Sequence, residues 1–153
     1  MGIKTYQTYH FGDIAIDYLQ DEESGLMGLR LYPVHLESKL VEHRADLSES
    51  PDAKTCSFEL GKSPALQLDP LVQISVVGDH QPSGFAAGLT MRNASSTMSL
   101  RFQAQDEEVD GKTHRVVTGL KNDAGLHVKH FLVWREGESG VWLNSEVTNQ
   151  SGA

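Results

Sequence analysis

Carboxylates dominate the chemistry this chain could attempt: 21 Asp and Glu stand against 13 Lys and Arg. The run DEEVDG, Asp106 to Gly111, puts oxygen donors at positions one, three and five and glycine at six, as a calcium loop does. The twelfth position should be a bidentate Glu, but Val117 stands there and has nothing to coordinate with. The run therefore reads as a hairpin tip with solvated charges. Paired-carboxylate hydrolysis needs two groups about 5–10 Å apart across one substrate. Glu107 and Glu108 are neighbours and diverge on a strand; Asp69 and Asp79 sit at opposite ends of one segment. No acid pair is singled out.

The other reactive side chains are equally scattered. His127 and His130 are three apart in a strand pattern, so their rings point to opposite faces and cannot share a metal. No HExxH or HxH spacing occurs among the seven histidines, and no metal site or cofactor is expected. Cys56 is the single cysteine, which excludes an intramolecular disulfide and a multi-thiolate zinc site; alternating with Phe58 and Leu60, it reads as a buried strand thiol. There is no GxSxG elbow. Gly61-Lys62-Ser63 lacks the earlier glycine of a phosphate loop and runs into Pro64.

One stretch differs. In GDHQPSGFAAGLTMRN, Pro82, Gly84 and Gly88 permit tight turns just ahead of Arg92 and Asn93. The plainer reading is a bend at a sheet edge. The functional reading holds Arg92 and Asn93 at a surface, with Gly84, Phe85 and His80 around them, as a substrate rim or an interface. Arg92 offers a rigid fork of donors and Asn93 both donates and accepts. Trp134 and Trp142 are a second set of candidates, because aromatic rings stack on sugars. Both lie in strands with apolar neighbours, which makes core packing the plainer expectation for each.

The elements that must position these residues are mostly strands. GDIAIDYLQ groups Ile14, Ile16 and Tyr18, and LVQISVVGD groups Val72, Ile74 and Val76. TMSLRFQAQ groups Met98, Leu100, Phe102 and Ala104. GLHVKHFLVWR groups Leu126, Val128, His130, Leu132 and Trp134, and GVWLNSEVTN sets Val141, Leu143 and Val147 against Trp142. Asp110-Gly111, KNDAG and EGESG are the breakers between them. From Thr97 onward the spacing predicts four consecutive hairpin-linked strands. Leu36, Leu40, His43 and Leu47, bracketed by Pro33 and Pro51, predict one short helix. The whole reads as a single, mainly β domain over 1–153, an antiparallel β-sandwich with at most one short helix.

Composition narrows the partners. A formal charge of −8 argues against nucleic acid and against anionic membranes. No apolar run is long enough to span a bilayer, and MGIKTYQTYHFGD carries no apolar leader core. With one cysteine, a reducing cytoplasm is the expected compartment.

Leu71 to Gln105, with Gly84-Phe85 and Thr90-Met91-Arg92-Asn93 as its most specific part, resembles the amino-terminal domain of bacterial α-galactosidases of glycoside hydrolase family 36. Asp21 to Leu47 and Gly125 to Gly152 are similar to the same domain. The resemblance implies a galactose-mutarotase-like β-supersandwich preceding a (β/α)8 barrel, whose two aspartates hydrolyse the glycoside with retention. Neither aspartate can be placed on this chain, which looks like a truncated piece of such an enzyme with no complete active site. Its implied partners are that catalytic barrel, a neighbouring subunit and an α-galactoside sugar. The rival readings are an independent carbohydrate-binding module and a structural or assembly domain whose open strand edges favour a homo-oligomer.

Overall fold

Phe11 and Ile14 pair across a two-residue turn in which Gly12 takes φ +59°. Positive φ at the first turn position suits the twist of the flanking strands, and glycine adopts it without strain. The turn joins β1 (Ile3–Phe11) to β2 (Ile14–Asp21). With β3 (Met27–Pro33) they form an antiparallel sheet in the order β1-β2-β3. A second antiparallel sheet has the order β4-β5-β6-β7, from β4 (Arg101–Asp110), β5 (Thr113–Lys121), β6 (Leu126–Arg135) and β7 (Trp142–Asn149). This computed structural model describes residues 3–37, 68–79 and 91–150, with Asn93 described by its backbone only. The molecule is mainly β, and its two sheets form a sandwich. The four strands after Thr97 follow one another as the alternation predicts.

The core lies between the sheets. β2 sends Ile16 and Tyr18 inward, and β6 sends Leu126, Val128, His130, Leu132 and Trp134. Phe11 stacks on Trp134 at 5.3 Å between ring centroids, with His114 tilted against both rings. A polar thread crosses the same layer: the Tyr9 hydroxyl donates to Gln105 Oε1 at 3.0 Å, and Gln105 Nε2 donates to Thr118 Oγ1 at 2.8 Å. Buried polar groups that bond to one another in this way cost little and hold the sheets in one register.

Several expectations are corrected. Leu71 to Asp79 forms no strand. Its backbone is satisfied elsewhere: the Leu71 N–H donates to the Met27 carbonyl, and the Ile74 N–H donates to the buried Thr97 hydroxyl at 2.7 Å. A side-chain hydroxyl thus replaces a ladder partner. Leu71, Val72 and Ile74 still pack on the core, so the apolar pattern is used without a sheet. Thr97 and Met98 belong to a helical turn, Ser95–Met98, and the strand begins at Arg101. A register shift between Phe102 and Ala104 then splits the expected face, pairing Phe102 with the core-facing Leu120 and Ala104 with the outward Gly119. The β4–β5 turn is centred on Gly111-Lys112, one residue later than the Asp110-Gly111 dipeptide suggests, because Asp110 still pairs with Thr113. Of the expected helix after Pro33, Val34–Leu36 forms a 3₁₀ turn that Glu37 follows with helical backbone angles, and the remainder from residue 38 lies outside the described residues.

Candidate functional site

Arg92 sits in a 3₁₀ turn, Met91–Asn93, directly ahead of the Ser95–Met98 helix. Its guanidinium meets Asp69 Oδ1 at 2.9 Å. Asp79 gathers the same region, accepting from the hydroxyls of Ser95 and Ser96 and from the Val76 N–H. Burial alone would raise the Asp79 carboxyl, but these donors hold it below the usual range. The Arg92 fork is therefore engaged by its own chain, fastening the turn to the segment at Asp69. His80, Gly84, Phe85 and the Asn93 side chain lie outside what is described.

The two tryptophans part company. Trp134 is a core residue, as its strand pattern suggests. Trp142 is 71% exposed, contrary to the expected core packing. The cause is its place: it points outward opposite Val133, on the strand that closes one side of its sheet. Along β7 even the core-side positions are uncovered, with Leu143 48% and Val147 49% exposed. Their partners Leu132 and Val128 on the adjacent strand are fully buried, so the three-stranded sheet does not reach across β7.

Glu138 links the two indoles. Its main-chain carbonyl accepts from Trp134 Nε1 at 3.0 Å, and its carboxylate accepts from Trp142 Nε1 at 3.4 Å. Gly137, at φ +89°, lets the β6–β7 loop turn sharply at this point. Gly137, Glu138, Ser139, Gly140, Val141 and Trp142 line an open groove of about 400 Å³. The groove holds one carboxylate, whereas the hydrolytic mechanism considered above needs two.

Sequence reasoning missed a third cluster, on the outer face of the small sheet. Asp17 is 3% exposed and accepts from Arg30, from the Thr8 hydroxyl at 2.7 Å and from the Tyr32 hydroxyl at 3.1 Å. Thr8, Asp17 and Arg30 are register partners across β1, β2 and β3. The Arg30 guanidinium also lies over the Tyr32 ring, 5.3 Å from its centroid. Burial pushes the Asp17 carboxyl up, but the bonds from Arg30, Thr8 and Tyr32 win and lower it. The only sequence signal was alternation that left Asp17 between Ile16 and Tyr18, which ordinarily marks a solvated face. With the Asp17 carboxylate satisfied from within the sheet, the cluster has the character of a structural tie.

His130 is buried and His127 exposed, so the two rings do take opposite faces. Among the described residues no three His, Cys, Asp or Glu side chains are grouped to hold a metal, and no helix is long and apolar enough to cross a membrane. Comparison of the chain with protein-family models, with curated proteins and with solved structures returns no match.

Proposed function

We propose that this chain is an accessory, non-catalytic β-domain of an α-galactosidase-like glycoside hydrolase, and that it acts by presenting a surface to a catalytic barrel or a neighbouring subunit in a reducing cytoplasm. The observation that carries the proposal is β7. Trp142, Leu143 and Val147 expose apolar side chains on both faces of one strand. An uncovered, weakly charged strand at a sheet margin is a ready template for further chain. The opposite margin is different: β4 carries Asp106, Glu107, Glu108 and Asp110, which discourage pairing. The resemblance of Thr90-Met91-Arg92-Asn93 and its flanks supports the hydrolase assignment. On this reading Arg92 serves the rim indirectly, by anchoring the turn that carries Asn93.

Two measurements test the reading. Incubation with a chromogenic α-galactoside should give no turnover; turnover that disappears when one of this chain's own carboxylates is changed would overturn it. In sedimentation, the native chain should associate with rising concentration, and Leu143→Lys with Val147→Lys should abolish that association. A native chain that stays monomeric, or association that survives both changes, removes β7 as the surface. An assembly domain built from copies of itself would use the same strand, and it is told apart by failing to associate with a separately expressed barrel.

A further inference from the structure

The Trp142 groove has a composition that the interface reading does not require. We propose that it is a binding site for a neutral pyranoside, with the sugar stacked on the Trp142 indole and its hydroxyls bonded to Glu138 and Ser139. Trp142 has the largest exposed aromatic surface among the described residues, and its ring edge is held by the Glu138 carboxylate. Glu138 is itself fixed at the backbone. Its N–H donates to the Arg135 carbonyl at 3.0 Å, and its carbonyl takes the Trp134 indole N–H. The exposed ring is thus tied through one residue to a core ring, which lowers the entropy lost when a ligand settles on it.

The ligand class follows from the chemistry. A pyranose presents one face of polarised C–H bonds, which suits the electron-rich face of an indole. Its hydroxyls donate to a carboxylate and exchange bonds with a serine. The groove volume of about 400 Å³ lies within the ordinary range for small-ligand sites, about 300–1,000 Å³. Gly137 and Gly140 have open space where a side chain would stand, so the walls do not fill the groove. An anionic ligand would meet Glu138 directly and a chain of charge −8. A quaternary ammonium is the chemical competitor, since it also favours an indole beside a carboxylate. Sites for that group enclose the cation with several rings, and this groove is lined by one. The proposal shares the exposure of Trp142 with the accessory-domain reading, but it is tested apart from it: sugar binding at Trp142 can fail while the Leu143 and Val147 surface stands, and the reverse.

The test is titration of the whole chain with methyl α-D-galactopyranoside, methyl β-D-glucopyranoside and tetramethylammonium, read by calorimetry and tryptophan emission. At least one glycoside should bind in the millimolar range. Binding should shield Trp142 from acrylamide quenching in the native protein, a readout that needs no variant. Trp142→Ala should abolish binding, and Glu138→Gln should weaken it about tenfold, the loss expected for one charged hydrogen bond. Trp142→Phe should keep part of it. No saturable signal from either glycoside, undiminished binding by Trp142→Ala, or a response to tetramethylammonium alone would each overturn the proposal.

Discussion

The indole of Trp134 and the backbone of Glu138 are joined by an N–H to carbonyl bond of 3.0 Å, which fastens the β6–β7 loop to the core. The same ring stacks on Phe11 at 5.3 Å with 22° between planes. Trp134→Ala should cost about 3–5 kcal/mol in urea unfolding, the usual loss for a buried aromatic. Trp134→Phe should cost less, because the stack survives and only the loop bond is lost. Near-equal losses for the two variants would show that the hydrogen bond, and not the stack, carries most of the effect.

Asp17 should be the most sensitive carboxylate. Replacing Arg30 with Leu leaves its charge buried without its main counterion, a change worth about 3 kcal/mol. The Asp17 carboxyl is lowered in the folded state, so its contribution is present above the unfolded value and is lost as pH falls through the folded one. In Asp17→Asn the stability curve should therefore be flatter below about pH 4. An unaltered acid limb would count against the assignment.

His130 should govern a separate window. Burial lowers its pKa to about 4 from an ordinary 6.5. The unfolded chain binds a proton between those two values and the folded chain does not. Stability should thus be complete above about pH 6.5 and decline toward pH 4, by about 3 kcal/mol at most. His130→Leu should remove this decline while leaving the more acidic Asp17 limb in place. Stability measured by denaturant at half-unit pH steps separates the two.

Thr97 should behave as a structural hub. Its hydroxyl accepts the Ile74 N–H and lies within hydrogen-bond distance of the Ile74 and Met91 carbonyls, 2.7 and 2.6 Å away. Thr97→Val preserves shape but leaves the part-buried Ile74 N–H without its acceptor, while the Met91 carbonyl keeps the Ala94 N–H, at a cost of about 1 kcal/mol. Thr97→Ser should retain most of the stability. Amide exchange at Ile74 should quicken in the valine variant and not in the serine variant.

Much of the fold was legible because alternation and turn chemistry are local. Ile14, Ile16 and Tyr18 had to share a face, and so did Leu126, Val128, His130, Leu132 and Trp134. Where a distant group supplied the hydrogen bonds, local reading failed. Leu71 to Asp79 has a strand's pattern, but Met27 and Thr97 take its backbone N–H groups. The bulge at Gln103 likewise moved Ala104 outward, which no residue spacing announces.

The candidate sites show the same division. Residue types alone excluded a metal cluster built on thiolates and a paired-acid motif with readable spacing. They marked both tryptophans as aromatic candidates without separating them. Which one meets solvent depended on the face each takes in the four-stranded sheet: Trp134 points toward the three-stranded sheet, and Trp142 points away from it, while that sheet stops short of the core-side residues of β7. The burial of Asp17 beside Arg30 depended in turn on the register of β1, β2 and β3. Periodicity is a property of neighbouring residues, so the chain carries it openly. Coverage and cross-strand partnership are set by residues far apart in sequence, and only the folded arrangement of the sheets decides them.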